Sequence, residues 1–531
     1  MKMNKKLVAI ALCALPMAAV AQDAFDVLQN SQTELRGTSR FMSMAGAFGA
    51  LGGDISALNQ NPGGIGVYRS SDIGITFSLD INNSKQDGAA DGVSQTKFNV
   101  NNVGYVGAAR LNSEVMPNIN WGFTYNRINS FNRHYRGGIN DIQSSMSNFI
   151  ADQVNQAGYT EDDLAYGDNY DPYFNSYAPW IGIAAYNAYA INGQNGQLVG
   201  IADGYSSGYS DFEVIEKGHT DEYSFNFGGN IKNVVYWGLG FGLTDLKYDS
   251  YNFYGENISN AYVYDAGNNA LVNGTANYGV TNYLRTDGTG FNFKIGAIVK
   301  PVNELRFGLA FHTPTYYRLT DSYSVGVGAT MTDDDGNVLT DEEAWSNDGY
   351  DYAIDYTIKT PWRLIGSVAG VLGQKGILSL DYEYVNNKSM RVGFDYDDYA
   401  DVTDRVKTYF KPSHIIRLGG EYRVSPDWSL RAGYSIKTSE VEKDVDNGNV
   451  EITTVSTNPS YKYDNKVQYI TAGVGYHHKQ FYLDLAYVYK NRQSVYNAFS
   501  PIIDGSNYIT NEAADIKDNN HRISCTLGFR F

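Results

Sequence analysis

Arg522-Ile523-Ser524-Cys525-Thr526-Leu527-Gly528-Phe529-Arg530-Phe531 closes the chain in strict alternation. Ile523, Cys525, Leu527, Phe529 and Phe531 fall on one face; Ser524, Thr526, Gly528 and Arg530 fall on the other. Successive side chains of a strand point to opposite faces, so this segment reads as a strand with one oily and one polar wall. The same period appears upstream at Phe481, Leu483, Leu485, Tyr487 and Tyr489, and again at Ile73, Ile75, Phe77, Leu79 and Ile81. Similar runs occupy 305–312, 377–384, 415–424 and 427–437.

Two architectures write this pattern. A soluble sandwich hides the oily face in a core, whereas a transmembrane barrel turns it to lipid. Strands are predicted at 71–83, 97–111, 118–131, 221–232, 233–250, 283–300, 303–320, 352–370, 375–392, 411–424, 427–441, 463–478, 480–493 and 519–531. Their joints alternate in kind. Asn112–Pro117, Lys232-Asn233, Pro301–Asn303, Gly373–Gly376, Ser425–Asp427 and His477–Gln480 are tight; 84–96, 132–220, 251–282, 321–351, 393–410, 442–462 and 494–518 are long. Short turns on one rim and long loops on the other are the outer-membrane pattern. The fold class is therefore all-β: a 14-stranded antiparallel transmembrane β-barrel.

Charge and cysteine count agree with that reading. Lys+Arg number 41 against 58 Asp+Glu, a net charge of −17, and a nucleic-acid partner, which needs clustered cations, is excluded. Gly 55 and Tyr 44 are high for a soluble enzyme. Residues 1–21 combine Lys2, Lys5 and Lys6 with an apolar run and Ala19-Val20-Ala21, the form of a signal peptide cut before Gln22. Cys13 leaves with it. Cys525 then stands alone, so neither an internal disulfide nor a multi-cysteine zinc site is expected. No later stretch is long and apolar enough for a spanning helix.

The predicted loops are acidic. Residues 321–350 hold eight acids and no Lys or Arg, and Asp333-Asp334-Asp335-Gly336-Asn337 reads as a turn rather than a calcium loop. Within the longest loop, Pro179 to Tyr189 is apolar and aromatic, and exposed surface of that kind marks recognition. Trp121, Phe123 and Tyr125 keep one phase and Ile128 breaks it, which implies a bulge near Asn126-Arg127. Pro314 and Pro361 fall at one height on neighbouring strands, where they mark the passage from membrane strand to loop.

Residues 22–70 are rich in Ala, Gly and Met and end in Asn61-Pro62-Gly63-Gly64. That composition suits a compact, partly helical plug in the lumen. The inward charges Asp80, Arg306, Asp381, Glu383, Arg417, Glu421, Arg423, Arg431 and Asp484 should pair with one another and with plug backbone. Here the sequence resembles a known family. Gly46-Ala47-Phe48-Gly49-Ala50-Leu51-Gly52-Gly53-Asp54-Ile55-Ser56-Ala57-Leu58-Asn59-Gln60-Asn61-Pro62 looks like the hatch signature of the FadL/OmpP1/TodX outer-membrane transporters. Phe311-His312-Thr313-Pro314, Lys359-Thr360-Pro361-Trp362 and Leu430-Arg431-Ala432-Gly433-Tyr434 match its style. Gly63 stands where the family carries Ala, which loosens the turn and makes the hatch more mobile.

The resemblance implies three parts: signal peptide 1–21, hatch 22–70 and barrel 71–531. It implies passive uptake of hydrophobic small molecules, long-chain fatty acids or aromatic hydrocarbons, by outer-groove capture, hatch rearrangement and lateral release through the wall. The hatch motif comprises Gly52, Gly53, Asp54, Asn61, Pro62 and Gly63. Trp180, Ile181, Ile183, Tyr186 and Tyr189 are the expected capture groove, and Asn126 and Arg127 border the expected opening. Arg36 and Arg40 are positioned to meet a ligand carboxylate. No cofactor, catalytic residue or metal is expected. The partners are a hydrophobic ligand, outer-membrane lipid and lipopolysaccharide; the chain is expected to be a monomer in the outer membrane of a Gram-negative bacterium. A general porin or a surface adhesin is the alternative; haem uptake and enzymatic activity fit less well, because His134 and His219 lie in no motif and 44 tyrosines make a tyrosine signal uninformative.

Overall fold

The computed structural model describes residues 23–531 apart from 143, 203–205, 266, 347–351, 374, 395–396, 503–508 and 510–511. The leader, Cys13 and Gln22 lie outside the described residues. Fourteen antiparallel staves form a closed wall. They are Asp72–Gln86, Val93–Arg110, Asn118–Ser130 continued by Arg133–Asn140, Ser207–Ile231, Val235–Asp265, Ala270–Val302 and Leu305–His312 continued by Tyr316–Asp333. Tyr352–Lys359 with Arg363–Leu372, Gly376–Val385, Ser413–Arg423, Trp428–Thr438, Tyr461–His478, Phe481–Asn497 and Ala514–Arg530 complete the round. The first stave pairs with the last, Ile73 opposite Phe529 and Leu79 opposite Ile523. The count is that predicted from the alternation. Closure removes the free sheet edges that the first and last staves would otherwise expose.

The lower wall wears its apolar side chains outward. Leu239, Phe293, Leu309, Leu380, Ile416, Leu430, Ile470 and Ile523 are all exposed, forming a belt around the barrel. An aromatic row edges it, with Phe311, Trp362, Tyr384 and His414 in ring contact across successive staves. No helix among the described residues is long and apolar enough to cross a membrane.

Several predicted loops are strand instead. The fifth and sixth staves run on through most of 251–282 and are joined only by residues 266–269, and the seventh reaches Asp333 with Val338–Trp345 folded back on it. The fourth begins at Ser207, not at 221. These extensions form a tower above the belt, and in it the apolar side chains face inward: Tyr254, Ile258, Ala276, Tyr278, Val325 and Val327 are buried. They pack on a small loop domain built from Met146–Gln156, Trp180–Asn187 and the hairpin Ile191–Gln194/Gln197–Gly200. Polar residues at the outward positions made this stretch look like loop in the sequence.

The segment before the first stave folds as short helices inside the lower barrel. Asp23 and Asp26 cap Ala24–Asn30 reciprocally, Thr38 accepts from Phe41 N to start Ser39–Ser43, and Asn61 caps the 3-10 turn Pro62–Val67, whose proline fits a first-turn position. Met42, Met44, Ala47, Phe48, Leu58 and Ile65 are completely buried. Inward charges hold the segment. Glu421 joins Arg40 and Arg431, Arg431 also meets Asp484, and Arg36 meets Asp80. Arg306 donates to Leu51 O, and Asp381 accepts from Gly49 N at 2.9 Å and from Gln60. Arg423 differs from the expectation: it is exposed near the rim, because its stave is already ending there.

Candidate functional site

The wall is interrupted where the phase slip predicted a bulge. The ladder between the second and third staves runs from Arg110 opposite Asn118 to Asn102 opposite Asn126 and ends there, nine pairs up. At 3.3 Å per residue and a tilt near 45° that is about 20 Å above the tight turn. Three local irregularities coincide. Asn101 is skipped in the first ladder, Ile128 is skipped between the third and fourth staves, and Arg133–Asn140 then turns inward, Arg133 reaching Asp518 of the last stave at 3.2 Å. A bulge unpairs the ladder and re-aims the strand. Above Asn126 side chains replace backbone bonds: Arg127 Nη1 donates to Asn99 Oδ1 and Lys97 Nζ to Asn132 Oδ1, each at 2.8 Å.

A cavity of about 210 Å³ lies behind this break. Its floor and one side come from the N-terminal segment, residues 28–36 with Phe41, Asn59 and Gln60; its wall includes Asn126 to Phe131. The two sides are tied together. Glu34 N donates to Ile128 O at 2.9 Å, so the carbonyl of the bulge residue is bonded to the segment rather than to a neighbouring stave. Across the lumen the cavity reaches Thr313, Thr315, Thr360 and Pro361. There the seventh and eighth staves both break at their prolines and resume, bridged by Thr360 N to Thr315 O at 3.1 Å and Thr315 N to Thr360 Oγ1 at 2.8 Å.

The cavity lining is more polar than a hydrophobic pocket requires. Many of its charges are paired, some with residues outside the lining. Glu383 accepts from Arg363 and Arg417, Lys294 pairs with Glu222, Arg127 with Asp221, and Lys490 with Glu34. Buried charges are tolerated when paired in this way. Arg36, one of the two arginines expected to meet a carboxylate, borders the cavity with its guanidinium committed to Glu34, Asp80 and Asn101. Arg40 lies away from it, on Glu421 and Gly53 O. Sequence reasoning missed Lys294, His312 and Arg363, whose partners lie tens to hundreds of residues away; alternation marks such positions as inward without showing that they converge.

The motif residues converge on one knot. Gly52 and Gly53 take φ of +63° and +67°, Asp54 accepts from Thr38 Oγ1 and Ser56 N, and Asn61 bonds Gly49 O, Ala297 O and Gly63 N. Gly63 has a different reason from the one expected. Its backbone lies against Gly296 and Ala297, and a Cβ would stand 2.8 Å from Ala297 Cα. Glycine here permits close approach, not freedom.

The expected capture groove is packed. Trp180, Ile181 and Ile183 are buried in the loop domain's core, with Trp180 against Tyr173 and Tyr323; Tyr186 and Tyr189 are only half-buried at its rim. The segment is a helix whose apolar side chains find partners on the tower, so the surface implied by its composition is covered. Burial and the nearby Glu161 carboxylate push the Tyr186 hydroxyl up to about 12.

The family model of the outer membrane protein transport proteins (OMPP1/FadL/TodX) matches residues 218–498, just over half of the chain. Among solved structures, a FadL homologue of Pseudomonas aeruginosa is 12% identical, covers 94% of this chain and 99% of its own, and superposes with a TM-score of 0.50. The toluene transporter TodX of Pseudomonas putida is 11% identical with the same coverage and a TM-score of 0.45. At such identities the likeness is one of fold. No curated protein matches in sequence.

Proposed function

We propose that this chain, which belongs to the outer membrane protein transport family (OMPP1/FadL/TodX), lets hydrophobic small molecules cross the outer membrane of a Gram-negative bacterium without energy input. The observation that carries this reading is the unpaired wall above Asn102 and Asn126, with a cavity directly behind it. The solute enters from the outer side, occupies the cavity and leaves sideways between the second and third staves. The N-terminal segment serves as the hatch: Glu34 leaves Ile128 O, and residues 28–36 withdraw from the cavity. Release into the bilayer spares the solute rehydration of its apolar surface. Exposed Phe98, Trp121 and Phe123 mark the lipid side of this exit. An uncharged solute needs no ionic partner of its own in the cavity, and it is the withdrawal of residues 28–36 that parts Glu34 from Lys490.

A porin would instead hold an open lumen, and here the described N-terminal residues fill it. The test is uptake of a long-chain fatty acid and of toluene into vesicles containing the full chain. Deleting Asn101 and Ile128, the residues skipped in the two flanking ladders, lets the second and third staves pair beyond Asn126. Uptake should fall to that of empty vesicles while circular dichroism still reports a folded β-barrel. Undiminished uptake by a folded deletion variant would refute lateral exit, and equal passage of a sugar would favour the porin.

A further inference from the structure

We propose that the outward face of the fourth to eighth staves, above the belt, is a docking surface for the phosphorylated glycolipid of the outer leaflet. Three tiers follow one another up that face. Leu243, Phe291 and Tyr316 sit side by side and close the belt. The next tier is ionic. Asp245, Lys247 and Asp249 of the fifth stave stand beside Asp287 and Arg285 of the sixth and Arg318 of the seventh. Above it the tier is aromatic: Tyr251 and Tyr283 lie with ring centroids 5.3 Å apart, Trp345 follows at 6.2 Å from Tyr283, and Phe253 lies over Gly255 and Gly279. From Leu243 to Tyr251 the climb is about 19 Å at 3.3 Å per residue and a tilt near 45°.

A lipid leaflet against this wall must match it tier by tier. Acyl chains meet the belt, so the next lipid layer meets Arg285 and Arg318, whose side chains are 66% and 72% exposed. Their pairs with Asp249 at 2.8 Å and Asp355 at 3.8 Å are surface pairs, worth roughly 0–1 kcal/mol, so phosphate oxygens can compete for both arginines. Asp245 and Asp287 stand between the cations, where a divalent ion can bridge carboxylate to phosphate. A plain phospholipid ends at this layer and leaves the aromatic tier facing water. A saccharide carried on the phosphates fills it, stacking on rings that present an apolar face and a polar tip. The far side is ordered differently: above Gln468, Asn491 and Asn519 it carries lysines, Lys466, Lys517 and Lys85, joined across the staves through Gln493.

The full chain is reconstituted with one of three lipids: a bis-phosphorylated acyl-disaccharide bearing core sugars, the same lipid dephosphorylated, or phosphatidylglycerol. Lipid retained through a detergent wash is quantified by mass spectrometry, and gel mobility reports folding. The wild type should retain the phosphorylated glycolipid above both other lipids. Arg285→Ser with Arg318→Ser should lower that retention about tenfold, the loss of charge-assisted phosphate contacts. Tyr251→Ser with Tyr283→Ser should bring retention of the phosphorylated glycolipid down to that of phosphatidylglycerol, and Lys466→Ser with Lys517→Ser on the far side should change nothing. Wild-type retention by the arginine variant, equal retention of phosphatidylglycerol, or equal loss in the far-side control would each overturn the proposal. Uptake is not read here, so this surface and the transport route stand or fall separately.

Discussion

Leu239 and Ile258 lie on one continuous strand and serve opposite sides of it. Leu239 is 49% exposed and faces outward; Ile258 is 1% exposed and faces inward. The ladder with the sixth stave runs from Val235 to Ser259 without a slip, so no bulge separates the two regions. What changes is the surroundings. Around the belt the dry side is outside and the lumen holds glycine, charge and amide. In the tower water lies outside, and the dry side is the interface with the loop domain. Alternation therefore reports which face is dry, and only the neighbours decide whether dry means in or out.

The largest test of that contrast places charge on each dry face in turn. Ile258→Asp should cost at least about 3 kcal/mol, because an unpaired carboxylate would sit in a closed core. The loop domain should then become cleavable by added protease while the belt stays folded. Leu239→Arg comes next, at about 2–4 kcal/mol in guanidinium-driven refolding into vesicles, since it faces the middle of the belt. A third variant carries the comparison into the lumen, where backbone approach sets the rule. Gly63→Ala should cost about 1–3 kcal/mol from overpacking and should raise hydrogen exchange in residues 38–67. The smallest effect belongs to Asn257→Arg on the tower's wet face, within about 0.5 kcal/mol of wild type. If Asn257→Arg proved as damaging as Leu239→Arg, the two regions would not differ as described.

Much of this was readable beforehand. Ile523 to Phe531 and its repeats reveal the strand count and the tight rim, and the phase slip at Ile128 marks the bulge between Arg127 and Asn129. The tower was not readable, because Tyr254 and Ile258 exchange phase with Leu239 and Leu243 and a search for outward oil stops at the exchange. The inward turn of Arg133–Asn140 depends on Asp518, nearly four hundred residues away. The helix at Trp180 was read as surface because its cover, Tyr323 and its neighbours, belongs to a strand taken for loop. Arg36 and Arg40 looked available because nothing local announces Asp80 or Glu421. Periodicity is a local signal, whereas pairing across a lumen is set by closure.

Closure also governs the order of assembly. Ser39 of the N-terminal segment donates its N–H to Thr526 Oγ1 at 2.7 Å and shares a hydroxyl bond with Ser524 at 3.0 Å, and both partners belong to the final stave. That stave is also the one that must zip to Asp72–Gln86. The contents of the lumen and the final stave thus complete one another: these contacts exist only once the first and last staves have met.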